Sequence, residues 1–293
     1  MRIVNYGSLN IDYTFQVEEI VRPGQTIAAS KVSRFPGGKG MNQSLALARA
    51  GMTIYHAGII GTDGLFLKEM LEKDGVDCRY LQVREDIGTG SAFIQVDRHG
   101  QNCIVLNGGA NRMNTEEDCK RVLNDFAPGD WILLQNEING VDRLIETAWE
   151  KNMKVIFNPS PMTNEVLQYN LSKVSLFLMN EDEGMRITGQ ADAEAILKTM
   201  AEKYPEAEVI LTLGEKGSLW SDGSRIISQP AFSVQAVDTT GAGDTFTGYV
   251  LAYLAHGFSV ERSLAVAAKA SAITVTRQGA ASAIPYRVEV EAE

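Results

Sequence analysis

The sequence predicts an α/β protein in which a mainly parallel sheet is covered by helices on both faces, with a smaller β element beside it. Three observations carry this expectation. In the second half, the apolar runs "WILL" (131–134), "KVIFN" (154–158), "LFLMN" (176–180) and "EVILTLG" (208–214) alternate with helical stretches. That is the rhythm of buried strands joined by crossover helices. Two earlier stretches, about 12–35 and 89–107, read as β-rich insertions, and no linker, repeat or low-complexity tract sets them apart as a domain. Finally, 293 residues that are 44% hydrophobic and 22% charged can bury a sizeable core, here read as a single domain over 1–293.

Taken in order, "RIVNYG" opens as a short apolar strand ended by Gly7, and "DYTFQV" and "TIAASKVSRF" alternate weakly around the turn "RPGQ". "PGGKG" then introduces the helix "MNQSLALARA", which Gly51 stops as a C-terminal glycine. "TIYHAGI" reads as a strand, and "LFLKEMLEKDG" as a helix with Leu67, Met70 and Leu71 on one face. "SAFIQVD" and "CIVL" flank "RHGQN", which has the length and chemistry of a hairpin loop. Two helices follow near the end. The first is "DTFTGYVLAYLAHG", with Phe246, Val250 and Leu254 at four-residue spacing; the second is "SVERSLAVAAKASAITVTR".

Composition excludes some functions. Lys and Arg total 27 against 37 Asp and Glu, a net charge of −10, which argues against nucleic-acid binding. An anionic substrate would have to be met locally, at helix starts and by a few placed cations. Cys78, Cys103 and Cys119 lack C-x-x-C spacing and read as reduced thiols of a cytoplasmic protein. No run reaches the ~18 apolar residues of a membrane span. His56, His99 and His256 are scattered singly and receive no role, and Asp74 and Asp77 beside Gly75 read as turn residues.

The chemistry concentrates in three motifs. "AVDTTGAGDTF" (236–246) is neither a P-loop nor a dinucleotide fingerprint, because Phe246 stands where the latter needs glycine or alanine. What remains is a glycine pair, Gly241 and Gly243, opening a helix with Asp244 in its first turn. The acid there serves equally well to stabilise the helix, by ~0.3–1 kcal/mol, or as a general base beside an anion hole. "PGGKGMNQS" offers Gly37, Gly38 and Gly40 for close backbone approach, with Lys39 and Asn42 beside them, or it is a plain glycine turn before a helix. "GSLNID" puts Asn10 and Asp12 just past the end of the first strand, where they either cap the turn or face the hydroxyls of a polyol.

In order and over about 280 residues, "GSLNID", "RPGQT", "PGGKGMNQS", "GTDG", "NGGAN", "QNE", "NPSP", "NEDE", "TLGEKGS", "AVDTTGAGDTF" and "TRQGA" resemble the ribokinase family, within the PfkB group of carbohydrate kinases. The resemblance implies a three-layer α/β/α sandwich with a β-sheet lid, and an ATP-dependent transfer of phosphate to a sugar's primary hydroxyl, D-ribose first among candidates. It implies Asp244 as the base and the N–H groups of Gly241, Ala242 and Gly243 as the anion hole. Asn10, Asp12, Gly38, Lys39, Gly40, Asn42 and Glu137 match sugar-binding positions. Asn180 and Glu183 match a motif that organises phosphates and Mg²⁺ through water, and Thr212, Gly214 and Gly217 fall in a nucleotide-binding loop. An activating potassium ion would draw on Asp238 and Thr240, with backbone oxygens near Thr274, Arg277 and Gly279. A homodimer paired through the lid is also implied.

Four positions depart from the common ribokinase pattern. Met41 replaces a smaller alanine, Thr247 an asparagine, Ala283 a serine near the potassium site (with Ser282 adjacent), and Ala268 a polar residue beside the adenine. Fructokinase, deoxyribose kinase and nucleoside kinase are the alternatives of the same class. A non-catalytic sugar or nucleotide sensor is the alternative of another class.

Overall fold

The strands of the main sheet send alternate side chains into two separate cores, and this defines three layers. In the computed structural model, which describes residues 1–292, the chain runs β1 (Ile3–Tyr6), β2 (Asn10–Gln16), β3 (Lys31–Gly37), α1 (Lys39–Arg49), β4 (Ile54–Gly61), α2 (Leu65–Lys73), β5 (Asp77–Arg84), β6 (Gly90–Val96) and β7 (Asn102–Asn107). It continues through α3 (Glu116–Leu123), β8 (Trp131–Gln135), α4 (Val141–Glu150), β9 (Lys154–Asn158), β10 (Leu176–Asn180), α5 (Glu181–Thr188), α6 (Ala193–Lys203) and β11 (Glu208–Thr212). The last elements are β12 (Ser218–Ser221), β13 (Ile226–Gln229), α7 (Ala242–Ala255), α8 (Val260–Val275) and α9 (Arg287–Glu291).

Nine strands form the main sheet in the order β13-β12-β11-β10-β9-β8-β1-β4-β5. The pairings from β11 across to β5 are parallel, and only the β11–β12–β13 edge is antiparallel. Ile3, Leu133, Ile156, Leu178 and Ile210 pack with α1, α2, α7 and α8, whereas Val4, Leu134, Phe157, Phe177 and Val209 pack with α3 to α6. Because both faces are covered, the central strands read as apolar runs. Within the first layer α7 is buried from Asp244 to Tyr253. Its four-residue apolar spacing describes only one of the faces it packs.

A second sheet of four strands, β3-β2-β6-β7, stands apart. It joins the two β-rich insertions through a parallel β2–β6 pairing, with hairpin-like antiparallel partners outside. Ile104, Val105 and Leu106 leave more than half of their surface exposed on it.

Four elements escape the sequence reading. β5 is an edge strand carrying Asp77, Arg79 and Arg84, and β12–β13 is a hairpin of four-residue strands, so neither has a periodic apolar signal. The short α9 is likewise too brief to register. The extended segment expected from residue 26 becomes strand only at Lys31.

Asp74 is more than a turn residue. Its carboxylate pairs with Arg49 at 2.7 Å, both side chains being 7% exposed, and accepts the Tyr286 hydroxyl at 2.7 Å. Arg49 also donates to the carbonyls of Ala281 and Ile284 at 2.7 and 2.8 Å, which ties the loop after α8 to α1. Removing one partner of a buried pair strands the other charge. Asp74→Ala is therefore expected to lower unfolding free energy by about 3–5 kcal/mol, read from urea denaturation; a loss below ~1 kcal/mol would show the pair to be solvent-screened.

Candidate active site

The carboxyl ends of β9, β10 and β11 open onto one crevice, the edge where ligands bind in open α/β sheets. A cavity of about 240 Å³ lies there, lined by Lys39, Asn158, Asn180, Glu183, Thr212 and the start of α7 with Asp244.

The start of α7 has the form of an anion seat. Gly241 holds a left-handed φ of 76°, and a Cβ on it would lie 3.0 Å from that of Ala280. Gly243 is different: its φ is ordinary, and a Cβ there would meet nothing within 4 Å. The protein's own packing does not require glycine at 243, so the open space in front of it is room for a ligand. The N–H of Gly243 has no partner among the described residues, whereas that of Ala242 is turned toward the Thr239 carbonyl at 3.3 Å. Of the three N–H groups expected to form the anion hole, Ala242's is thus already engaged. The helix start adds the equivalent of about half a positive charge.

Asp244 is 7% exposed. One carboxylate oxygen accepts the Asn42 amide at 2.9 Å and the other accepts the Gln43 amide at 2.9 Å. Both donors come from the first two turns of α1. The Asn42 carbonyl oxygen is buried without a partner, an acceptor left for a hydroxyl.

The other expected sugar residues converge beside this carboxylate. Asn10 and Gly37 are register partners of β2 and β3, and a Cβ on Gly37 would fall 2.1 Å from the Asp12 carboxylate. Gly38 has a φ of 96° and packs on the backbone of Asn10, and Gly40 packs against Gly7 and Ser8, where a Cβ would come within 2.4 Å. Glu137 accepts the Lys39 backbone N–H at 3.0 Å and the Ser8 hydroxyl. Burial alone would lower the Lys39 ammonium's pKa, but the carboxylates of Asp244, Glu137 and Glu183 outweigh it and hold the group charged. Burial, with Glu137 nearby, pushes the Asp12 carboxyl up to about 6.

Asn180 and Glu183 form a reciprocal capping box on α5, each side chain accepting the other's backbone N–H at 2.9 Å. One Glu183 oxygen is thereby engaged while the carboxylate still faces the cavity. Thr212 lies level with Asn180 on the neighbouring strand. Gly214 and Gly217 sit in the turn beyond. Gly214 has free space around it, whereas Gly217 lies so close to the Gln229 carbonyl, 2.0 Å from a would-be Cβ, that packing alone accounts for it.

Asp238 gives one oxygen to the Thr240 N–H and hydroxyl, at 2.9 and 2.6 Å, and the other to the Gly279 N–H at 2.9 Å. Burial would raise its pKa, but these bonds outweigh burial and hold it below the usual carboxylate range. The two loops expected to share a cation therefore lie side by side. The Thr274 hydroxyl is buried on Ala270 and Thr245, and Arg277 pairs with Glu289 at 2.6 Å, so only their backbone oxygens remain for such a site. Among the described residues no group of three His, Cys, Asp or Glu side chains could hold a metal ion.

Several neighbours went unread in the sequence. Asn111 donates to the Asn10 side chain at 2.7 Å and brackets the Leu9 backbone, which fixes the start of β2. It lies in "NGGAN", whose spacing alone carries no chemistry. Ser8 and Gln43 likewise sat inside quoted motifs without a role, because contacts across 129 and 201 positions leave no local signal.

A parallel sheet with a buried carboxylate at a helix start facing an open crevice suits phosphoryl transfer to a hydroxyl. The chain matches the model of the pfkB family carbohydrate kinases over residues 1–287 and belongs to that family. It is 34% identical to the ribokinase of Haemophilus influenzae over 296 residues, covering 97% of this chain and 95% of that one. Among solved structures, the ribokinase of Cryptococcus neoformans with ADP superposes with a TM-score of 0.87 at 32% identity, covering 99% and 98% of the two chains. That of Arabidopsis thaliana with ribose and ATP gives 0.86 at 30%, covering 99% and 97%.

Two outcomes follow from this geometry. Gly243→Ala is expected to keep or slightly raise the melting temperature, since alanine suits a first helical turn, while lowering kcat by roughly 10²-fold because the methyl group would fill the room expected for the phosphate. A normal kcat would place the anion elsewhere. The Asp12 carboxylate, ionised above about pH 6, accepts hydroxyls with all its lone pairs, whereas the protonated form gives up one acceptor site. Sugar KM should therefore fall as pH rises through 6, and Asp12→Asn should abolish that dependence; a flat wild-type profile would remove Asp12 from the sugar site.

Proposed function

We propose that this protein is an ATP-dependent ribokinase that transfers the γ-phosphate of ATP to the 5-hydroxyl of D-ribose. The observation that carries the reading is the buried Asp244 carboxylate, fixed by two amides, beside the open space before Gly243. The 34% identity to a bacterial ribokinase supports the choice of ribose.

Ribose lies between Asn10, Asp12, Gly38, Lys39, Gly40, Asn42 and Glu137, each hydroxyl meeting a donor or acceptor, and its 5-hydroxyl reaches Asp244. As that oxygen forms its bond to the γ-phosphorus, its proton passes to the Asp244 carboxylate. The bond from γ-phosphorus to the bridging oxygen breaks, and ADP leaves. The N–H groups of Gly241 and Gly243, with the charge of Lys39, receive the negative charge of the transferring group. Asn180, Glu183, Thr212, Gly214 and Gly217 are the residues assigned to the nucleotide. Mg²⁺, held by the phosphates with Glu183 through water, would neutralise their charge. Potassium near Asp238 and Thr240, with the backbone oxygens of Thr274, Arg277 and Gly279, would stiffen the loop that carries the anion seat.

The four-stranded sheet is proposed as a lid that excludes water from the phosphoryl group. The exposed Ile104, Val105 and Leu106 support its pairing with a second copy. A cytoplasmic location is supported by three cysteines that are all unpaired. Among the described residues no helix is long and apolar enough to cross a membrane.

Asp244→Asn tests the reading. Turnover in a coupled ADP-release assay should fall by about 10²–10⁴-fold, while ribose binding by calorimetry stays within a few-fold. Unaltered kcat would remove the base. Running the wild type against ribose, deoxyribose, fructose and nucleosides identifies the substrate, and a kcat/KM highest for any other acceptor would overturn the choice of ribose.

A further inference from the structure

Behind Asp244 lies a chain of neutral polar side chains that the phosphoryl-transfer chemistry leaves unexplained. Gln43, Gln135, Asn5, Ser44 and His56 are all fully buried. The Gln43 amide nitrogen donates to Asp244 at 2.9 Å and to the Asn158 side chain at 3.3 Å, and its oxygen accepts the Gln135 amide at 2.7 Å. The Gln135 nitrogen also donates to the Asn5 side chain at 3.0 Å. Asn5 in turn donates to Ser44 at 2.8 Å and to the Gly40 carbonyl at 2.7 Å, and the Ser44 hydroxyl meets the His56 ring at 2.8 Å.

Five buried polar side chains in a row are a costly way to fill space between a sheet and a helix, where apolar groups of the same volume would serve. The cost buys direction. With Gln135 donating to its oxygen, the Gln43 amide cannot flip without placing one donor against another and its own oxygen against a carboxylate. Burial drops the His56 pKa to about 4, so the chain's far end stays neutral. Lys39 and Glu183 line the cavity together with Asp244, and the Lys39 ammonium is held by the carboxylates of Asp244, Glu137 and Glu183.

We propose that Gln43, locked by Gln135, is a positioning residue for Asp244: it holds one carboxylate oxygen from behind and leaves the free lone pairs turned to the acceptor hydroxyl. The proposal rests on the reading of Asp244 as the base. Glutamine suits this place because it supplies a fixed donor without a second charge. Methionine has the same length and no donor, and glutamate has the same shape and the wrong charge.

The test uses the full chain with Gln43→Met, Gln135→Met, both together, and Gln43→Glu, measuring kcat, both KM values and the pH profile of kcat. In Gln43→Met, kcat should fall on the order of 10- to 100-fold, as expected for a misplaced reacting group, with the KM for ATP within about twofold. Its acidic limb should move to higher pH, because the carboxylate has lost a donor. Gln135→Met should show a smaller change in the same direction, and the double variant should be no worse than Gln43→Met, since the two act as a unit. Gln43→Glu should move the limb furthest, because two facing carboxylates share a proton.

A Gln43→Met enzyme with wild-type kcat and an unmoved limb overturns the proposal. So does a loss of kcat that only follows a fall in melting temperature. Should Gln43→Met fail to fold, Gln43→Glu decides, and an unmoved limb there is equally fatal. Retained turnover in Asp244→Asn defeats the base itself; loss there with a silent Gln43→Met defeats only the positioning.

Discussion

The close crossing of α1 and α7 is the contact on which the site depends. At Gly248 the helices come so near that a Cβ would lie 2.3 Å from that of Ala46 and 2.8 Å from its backbone carbon. One turn back along each helix, four residues in both cases, stand Asn42 and Asp244. Short amide side chains bridge to a buried carboxylate only because the backbones are held this close. Any residue larger than glycine at 248 would push α7 outward and open both hydrogen bonds at once.

The same approach sets the electrostatics. Asp244 lies in a nearly dry place at the positive end of α7, and the groups behind it are neutral amides, a hydroxyl and an uncharged imidazole. Charge faces the cavity, where Lys39 and Glu183 join Asp244, and Lys39 feels three carboxylates. A low-dielectric back wall and a charged front wall give the carboxylate one open direction. Phosphoryl transfer needs little covalent help from the protein, so this arrangement of dipoles and room is most of what the fold contributes.

The glycines of the two signature motifs divide by physical cause. Gly37, Gly38 and Gly40 yield to other parts of the chain, which lie where their side chains would be, and Gly241 yields to its left-handed backbone and to Ala280. Gly243 alone among these yields to nothing in the protein. Both signatures look alike on paper, since a sequence records the missing side chain and not what takes its place.

The sequence alone determined the layers and the candidate chemistry. Apolar runs of strand length between helices can bury themselves only in a covered parallel sheet, and glycine pairs at helix starts leave N–H groups for an anion. Asp244 and Lys39 were legible for that reason, beside glycines that open helices, whereas Glu137 was marked only by the resemblance to ribokinases. Tertiary structure decided which of them meet. It turned Asp74 from a turn residue into the partner of Arg49, and it engaged the Ala242 N–H while leaving that of Gly243 open. It also recruited Gln43 from the body of α1 and Gln135 from the end of β8, where a buried glutamine has no pattern of its own. Periodicity reports which face of an element is apolar, but a hydrogen bond between residues 43 and 244 exists only once two helices have crossed.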